Sequence, residues 1–289
     1  MFKNIKNFLT RSKLKENENE NLLLLLGQVH SKLNNNSNYQ DINEKEFKVF
    51  SQWGEDGIIE YLISALNIND HSFIEFGVEN YKEANTKFLL LNRNWSGMIL
   101  DSSEENIKSI KESEIYWKYD LTVLNEFVTK DNINKLIKNN FDKKIGLLSI
   151  DVDGNDYWIW EAVETINPSI VIIEYNARLG NEKKLVVPYK KNFDRKTSHY
   201  SMIYYGASLQ ALADLGNKKG YKFICCNKAG NNAFFVKKDL INNKIKFKSL
   251  TDGFYKNKFR ESRDKNGNLT FLNEKEERDI ISNLPFIEV

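Results

Sequence analysis

The sequence predicts an α/β fold: a Rossmann-like, doubly wound and mostly parallel seven-stranded sheet that ends in an antiparallel hairpin, with an N-terminal helical extension. Three observations predict it. From about Phe47, short apolar runs alternate with stretches of helical periodicity, the pattern that lays parallel strands beneath crossover helices. The first two runs close on acids beside small residues, Glu75-Phe76-Gly77 and Asp101-Ser102-Ser103, where an open sheet binds ligands. The last two runs, 221–226 and 233–236, are joined through Lys228-Ala229-Gly230, close enough to pair as a hairpin.

Each element follows from local pattern. Residues 51–66 read as a lead-in helix after Ser51-Gln52-Trp53-Gly54, 72–77 as the first strand, 83–92 as a helix and 97–101 as the second strand. A helix over 104–112, a third strand over 115–119, a helix over 124–139 and a fourth strand over 145–151 come next. Residues 157–166 are helical until Pro168 stops them before a fifth strand at 170–175. A polar loop over 176–197 then leads to a helix over 206–218 and the closing hairpin. Upstream, residues 1–15 set Phe2, Ile5, Phe8 and Leu9 at helical spacing among lysines and an arginine. Such a helix suits weak contact with an anionic membrane surface, or packing on the domain or a second subunit. Residues 22–33 form another helix, and Asn34-Asn35-Asn36-Ser37-Asn38 a polar linker. The chain thus divides into a helical extension and linker (1–46), the α/β domain (47–238) and a charged C-terminal extension (239–289) that is a subunit contact, a lid or a tail.

Composition removes several function classes. The 289 residues carry 42 basic and 40 acidic side chains, a formal charge of +2 without the positive field of a nucleic-acid binder. No run approaches the roughly 20 apolar residues of a membrane span. The two cysteines, Cys225 and Cys226, are adjacent in an apolar run, where a mutual disulfide is strained; reduced thiols fit a cytoplasmic protein.

The candidate cofactor site starts at Glu75 and Gly77. The glycine lets the turn approach a ligand over the strand end, and with no Gly-x-Gly-x-x-Gly fingerprint the acid suits a cationic ligand, the methionine end of S-adenosylmethionine, better than a diphosphate. Asp101 lies 24 positions after Gly77 and can accept both ribose hydroxyls, while Ser102 or Ser103 caps the following helix. Asp120 is a candidate for the adenine amino group or a loop aspartate.

Carboxylates also gather at the next two strand ends, in Ile150-Asp151-Val152-Asp153-Gly154-Asn155-Asp156 and Glu174-Tyr175-Asn176. Asp151, Asp153, Glu174 and Asn176 form an oxygen set suited to Mg²⁺ or Mn²⁺, and capping of the next helix is the alternative for Asp153 to Asp156. Without a metal, Asp153 or His199 is the candidate base for deprotonating an acceptor hydroxyl; His199 reads equally as a solvated loop histidine. The basic residues Lys183, Lys184, Lys190, Lys191 and Arg195 make an anion-recognition loop or a solvated surface.

Taken together, Ser51-Gln52-Trp53-Gly54-Glu55-Asp56-Gly57, Phe73-Ile74-Glu75-Phe76-Gly77, Asn85-Thr86, Trp95-Ser96-Gly97-Met98-Ile99-Leu100-Asp101 and Ile150-Asp151-Val152-Asp153-Gly154 resemble the FkbM-type methyltransferase family over about residues 47–236. That resemblance implies a class I methyltransferase fold, S-adenosylmethionine as donor, with Asp151 among the cofactor contacts, and an oxygen of a sugar or polyketide-derived product as acceptor. It also implies that the segment with Gln52 covers the cofactor, with Trp53 either lining the adenosine or anchoring the core. The loop Gly77-Val78-Glu79-Asn80 departs from the class by lacking its later glycine. The expected partners are a small-molecule or glycan acceptor and another copy in a homo-oligomer. Two rival readings stand beside this one: a metal-dependent glycosyltransferase using Asp151 and Asp153 as an Asp-x-Asp pair, and a non-catalytic module that binds the cofactor.

Overall fold

A computed structural model of the chain describes residues 2–37 and 41–289, with side chains from residue 18 onward. The expected basic amphipathic face of residues 1–15, and Asn38 of the linker, lie outside the described residues. Helix α1 (Phe2–Asn36) runs unbroken through the positions expected to separate two helices and through Asn34 to Asn36 of the expected linker. After a 3-10 turn at Ile42–Lys45 capped by Asp41, α2 (Glu55–Leu66) leads into the sheet.

The main sheet comprises β1 (Ser72–Phe76), β2 (Ser96–Asp101), β3 (Leu121–Asn125), β4 (Leu147–Ile150), β5 (Ile170–Glu174), β6 (Tyr221–Cys226) and β7 (Asn232–Lys237). Between them stand α3 (Lys87–Arg93), α4 (Glu104–Lys111), α5 (Glu114–Lys118), α6 (Ile133–Asn140), α7 (Asp156–Ala162), α8 (Arg195–Ser198) and α9 (Leu209–Lys218). The strand order is β3-β2-β1-β4-β5-β7-β6. Neighbours from β3 to β5 are parallel, β7 is antiparallel to both β5 and β6, and so one strand of the seven is reversed. This arrangement, a parallel sheet closed by a hairpin, is the class I methyltransferase fold.

Period-two alternation divides the core. Ile74, Phe76, Leu148, Ile150, Val171 and Ile173 face α6, α7 and α9, whereas Phe73, Ile99, Leu147, Ile170 and Ile172 face α2, α3 and α4. Glu75 shares the parity of Phe73, so its carboxylate emerges beside the start of α3. The third strand differs from expectation. The run Ile115-Tyr116-Trp117 is the short helix α5, with Trp117 72% exposed, and the strand lies at Leu121–Asn125, where Leu121 and Val123 are buried. Aromatic and β-branched content favoured the wrong run, because a single turn on the surface needs no buried face.

The C-terminal extension packs against the domain. Helices α10 (Leu250–Gly253) and α11 (Glu274–Ile281) lie within it, and Ile287–Glu288 pairs antiparallel with Leu185–Val186. Arg178, whose side chain is fully buried, donates to Glu277 at 2.7 Å and to Glu261 at 3.3 Å. No helix among the described residues is long and apolar enough to cross a membrane.

Candidate active site

A cavity of about 370 Å³ opens where the carboxyl ends of β1, β2, β4 and β5 meet. Reversal of β7 brings its amino end, Asn232, to the same edge. Nine of the lining residues carry carboxylates, and one, Arg195, carries a positive charge.

On the β1–β2 side, Gly77 has φ +74°, and a Cβ there would stand 1.6 Å from the Asp151 carbonyl oxygen. Only glycine permits that approach. Glu75 is 5% exposed and accepts from the backbone N–H of Asn85 at 2.9 Å, that of Thr86 at 3.1 Å and the Thr86 hydroxyl. It lines the cavity, but its oxygens anchor the loop entering α3; burial holds its pKa above the ordinary value against those hydrogen bonds. Asp101 bridges two loops. Its Oδ2 accepts from Glu79 N–H at 2.8 Å and its Oδ1 from Ser103 N–H at 2.8 Å, while Ser103 caps α4 and Ser102 lines the cavity. Gln52 lines the far wall, accepting from Asn231 at 3.3 Å. Trp53 stacks on Phe259, ring centroids 5.1 Å apart, outside the cavity lining.

Asp120 does not join this group. Because β3 starts at Leu121, Asp120 sits at the opposite, amino edge of the sheet, exposed and paired with Lys143. Glu126, Phe127 and Val128, which follow β3, occupy the wall where an adenine contact was expected. The sequence signal for them was the apolar–polar–apolar alternation of Leu121, Thr122 and Val123, which marks the strand they follow.

At the β4–β5 side, carboxylate oxygens of Asp151, Asp156 and Glu174 lie within 4.8 Å of one another. Asp156 opens α7 and accepts from Val152 N–H at 2.8 Å and Gly154 N–H at 2.9 Å. Glu174 is 6% exposed, and its Oε2 is buried with no hydrogen-bond partner. Burial, then repulsion among these carboxylates, holds Asp151 and Glu174 well above the usual carboxylate range; burial lifts Asp156 to about 6. Of the four expected metal ligands, two enter this cluster. β4 ends at Ile150, so strand alternation stops before Asp153, which turns outward at φ +56° to pair with Arg195 at 3.2 Å. Asn176 is buried elsewhere: its amide donates to the Ile203 and Tyr205 carbonyls at 2.9 and 3.1 Å and its oxygen accepts from Arg178 N–H. Asp156 stands in their place.

His199 lies outside the cavity lining, with Nδ1 2.7 Å from the Ser201 hydroxyl and its pKa lowered by burial. Of the basic loop, Arg195 alone reaches the cavity. Its guanidinium stacks 3.9 Å over Tyr205, donates to the Met202 carbonyl at 2.6 Å and pairs with Glu261, which with Phe259 brings the C-terminal extension into the wall. Lys184 pairs with Asp214 instead. Phe259 and Glu261 carry no local motif; contact across the fold is what places them.

No protein-family model matches the sequence, and no curated protein matches it. Solved structures of similar layout include an S-adenosylmethionine-dependent methyltransferase from Clostridium acetobutylicum, 11% identical, covering 63% of this chain and 90% of that one at a TM-score of 0.39. The N-terminal domain of EvdMO1, solved in the presence of SAH and D-fucose, is 10% identical over 70% of this chain and 84% of that one, TM-score 0.42. An O-methyltransferase from Bacillus cereus in complex with SAH is 13% identical over 61% and 79%, TM-score 0.38. At these values the likeness is one of layout, and the fold assignment rests on the strand order itself.

Proposed function

We propose that this chain is an S-adenosylmethionine-dependent methyltransferase of FkbM type that acts on a hydroxyl oxygen of a sugar or glycan precursor in the cytoplasm, assisted by Mg²⁺ or Mn²⁺. The observation that carries the reading is the charge of the cavity, nine carboxylate residues against one guanidinium. Such a site attracts a sulfonium and a divalent cation and repels a sugar diphosphate. That weighs against the glycosyltransferase reading, as does the engagement of Asp153 with Arg195.

The donor, when bound, supplies a methyl group on positively charged sulfur. Around it, Gly77 lets the β1 loop lie close, Asp101 fixes the two loops that flank a nucleoside, and Phe127 offers a flat face at the expected adenine end. The orphaned Glu174 oxygen and the closely set carboxylates of Asp151 and Asp156 fit a hard cation. That cation would lower the pKa of an acceptor hydroxyl and fix its place. Asp153, exposed at the rim with its orientation held by Arg195, is the carboxylate in position to take the hydroxyl proton. Positioning supplies the rest: Arg195, Glu261 and Phe259 shape the acceptor wall.

Calorimetric titration with S-adenosylmethionine, and separately with nucleotide sugars plus Mn²⁺, tests the reading, followed by transfer of labelled methyl groups to a panel of sugars and sugar nucleotides. Saturable donor binding and labelled acceptor are expected. Binding of nucleotide sugars alone overturns the reading; donor binding without transfer to any acceptor favours a non-catalytic module.

A further inference from the structure

Helix α1 turns most of its leucines away from the domain. A surface helix normally turns its apolar stripe to the core. Here the face against the domain carries Leu24, Gly27, Ser31 and Asn34: Leu24 packs on the cluster of Phe47, Val49, Phe50 and Phe88, a Cβ on Gly27 would fall 2.5 Å from Val49, Ser31 donates to Glu60 at 2.8 Å, and Asn34 donates to the Lys45 carbonyl at 2.7 Å. The opposite face carries Leu22, Leu26, Val29 and Leu33, with Leu25 at its flank, each between 53% and 61% exposed. Their spacing of four, three and four residues is that of a coiled-coil seam. No described residue packs over them.

We propose that this seam is a homodimer interface, in which α1 of a second copy docks antiparallel about a two-fold axis near Leu25 and Leu26. Leu22, Leu25, Leu26 and Val29 are self-complementary in that direction, setting Leu22 against Val29 and Leu25 against Leu26 of the partner helix, while Leu33 lies beyond the matched stretch. Charge selects the same direction: Glu18 and Lys32 lie on one flank, 14 residues apart, so reversal brings the Glu18 end of one helix beside the Lys32 end of the other. A parallel pair would stack like charges. Antiparallel helices also oppose their dipoles. Glu18 flanks the seam where a helix on an anionic lipid surface carries lysine or arginine, which disfavours a membrane as the occupant.

Sedimentation of the full-length protein tests the interface. The native chain is expected at twice its 33.8 kDa mass, and the double substitution Leu26→Glu/Val29→Glu at the mass of one chain with an unchanged circular-dichroism spectrum, the dimer constant weakening by at least about a hundredfold. Since Cys225 and Cys226 are buried, single cysteines report direction: Leu26→Cys should cross-link to itself and Leu33→Cys should not, whereas a parallel pair cross-links at both. A native chain that is monomeric throughout, a dimer indifferent to the double substitution, or a monomer that the seam carries onto phosphatidylglycerol vesicles each overturns the proposal.

Discussion

Gly77 and Asp151 meet backbone to backbone, at a distance that would leave a Cβ on Gly77 only 1.6 Å from the Asp151 carbonyl oxygen. The contact joins the β1 loop to the end of β4, so one small residue sets the floor of the cavity. Gly77→Ala must part those segments and place alanine at φ +74°. A loss of at least about 2 kcal/mol in stability is expected, with donor binding abolished. Urea unfolding and calorimetry check both; unchanged donor affinity would remove Gly77 from the site.

Asp101 holds two loops through one carboxylate, accepting from Glu79 and Ser103. Asp101→Asn keeps one acceptor oxygen and faces an amide N–H toward one of the two donors. Losing a charge-assisted bond costs about 1.5–3 kcal/mol, so donor affinity should fall roughly ten- to a hundredfold while the fold persists. Equal affinity in the two proteins would mean that the loops do not contact the donor.

The acids that close the strands were legible in the sequence because each one ends a local apolar run. Glu75, Asp101, Asp151 and Glu174 all reach the cavity for that reason. Asp156 resembled a helix cap, but it is the first residue of α7 and accepts from the loop before it, and the same carboxylate faces Glu174, a proximity made by the loop between β4 and α7 and invisible to spacing. Arg195 and Glu261 are 66 residues apart and meet only because the C-terminal extension folds back over Arg178. His199 and Asp120 failed for opposite reasons. The first belongs to a turn that binds its own Ser201, and the second was attached to a strand that starts after it rather than before it.

Glu174→Gln tests the metal cluster. Removing one of the crowded buried charges should stabilise the metal-free protein by about 1–3 kcal/mol and raise its melting temperature. The same change should erase any melting shift produced by Mg²⁺ or Mn²⁺ in the native protein. A variant that still responds to the ion to the native extent would place the cation elsewhere.

Asp56 is fully buried, and its Oδ2 accepts from Val49, Phe50 and Ser51 N–H and from the Ser51 hydroxyl, while Oδ1 has no partner. Burial raises its pKa from 3.8 to about 6 despite those donors. The folded state therefore takes up a proton that the unfolded chain does not hold between those values. The stabilising contribution is complete below pH 3.8 and lost as pH rises through 6. Asp56→Asn keeps an acceptor for the same donors and cannot titrate. Relative to the native protein it should gain about 2 kcal/mol between pH 4.5 and 7.5, read from paired urea curves. A constant difference between the two curves would show that Asp56 ionises normally.

Arg178 ties the C-terminal extension to the domain. Its side chain has no exposure and is neutralised by Glu261 and Glu277, both beyond residue 239. A chain ending at Lys238 leaves that guanidinium buried without a counter-charge, at a cost of about 3–5 kcal/mol, and strips Phe259 and Glu261 from the cavity wall. Such a chain should unfold at much lower denaturant or fail to fold. Arg178→Met in the same truncation removes the stranded charge and should recover most of the stability, since a residue of similar volume packs where the guanidinium lay. Acceptor binding should stay lost in the recovered domain, because the wall is still missing. Recovery of both would mean that residues 239–289 lie outside the working site, and recovery of neither would mean that the extension holds the fold through contacts other than Arg178.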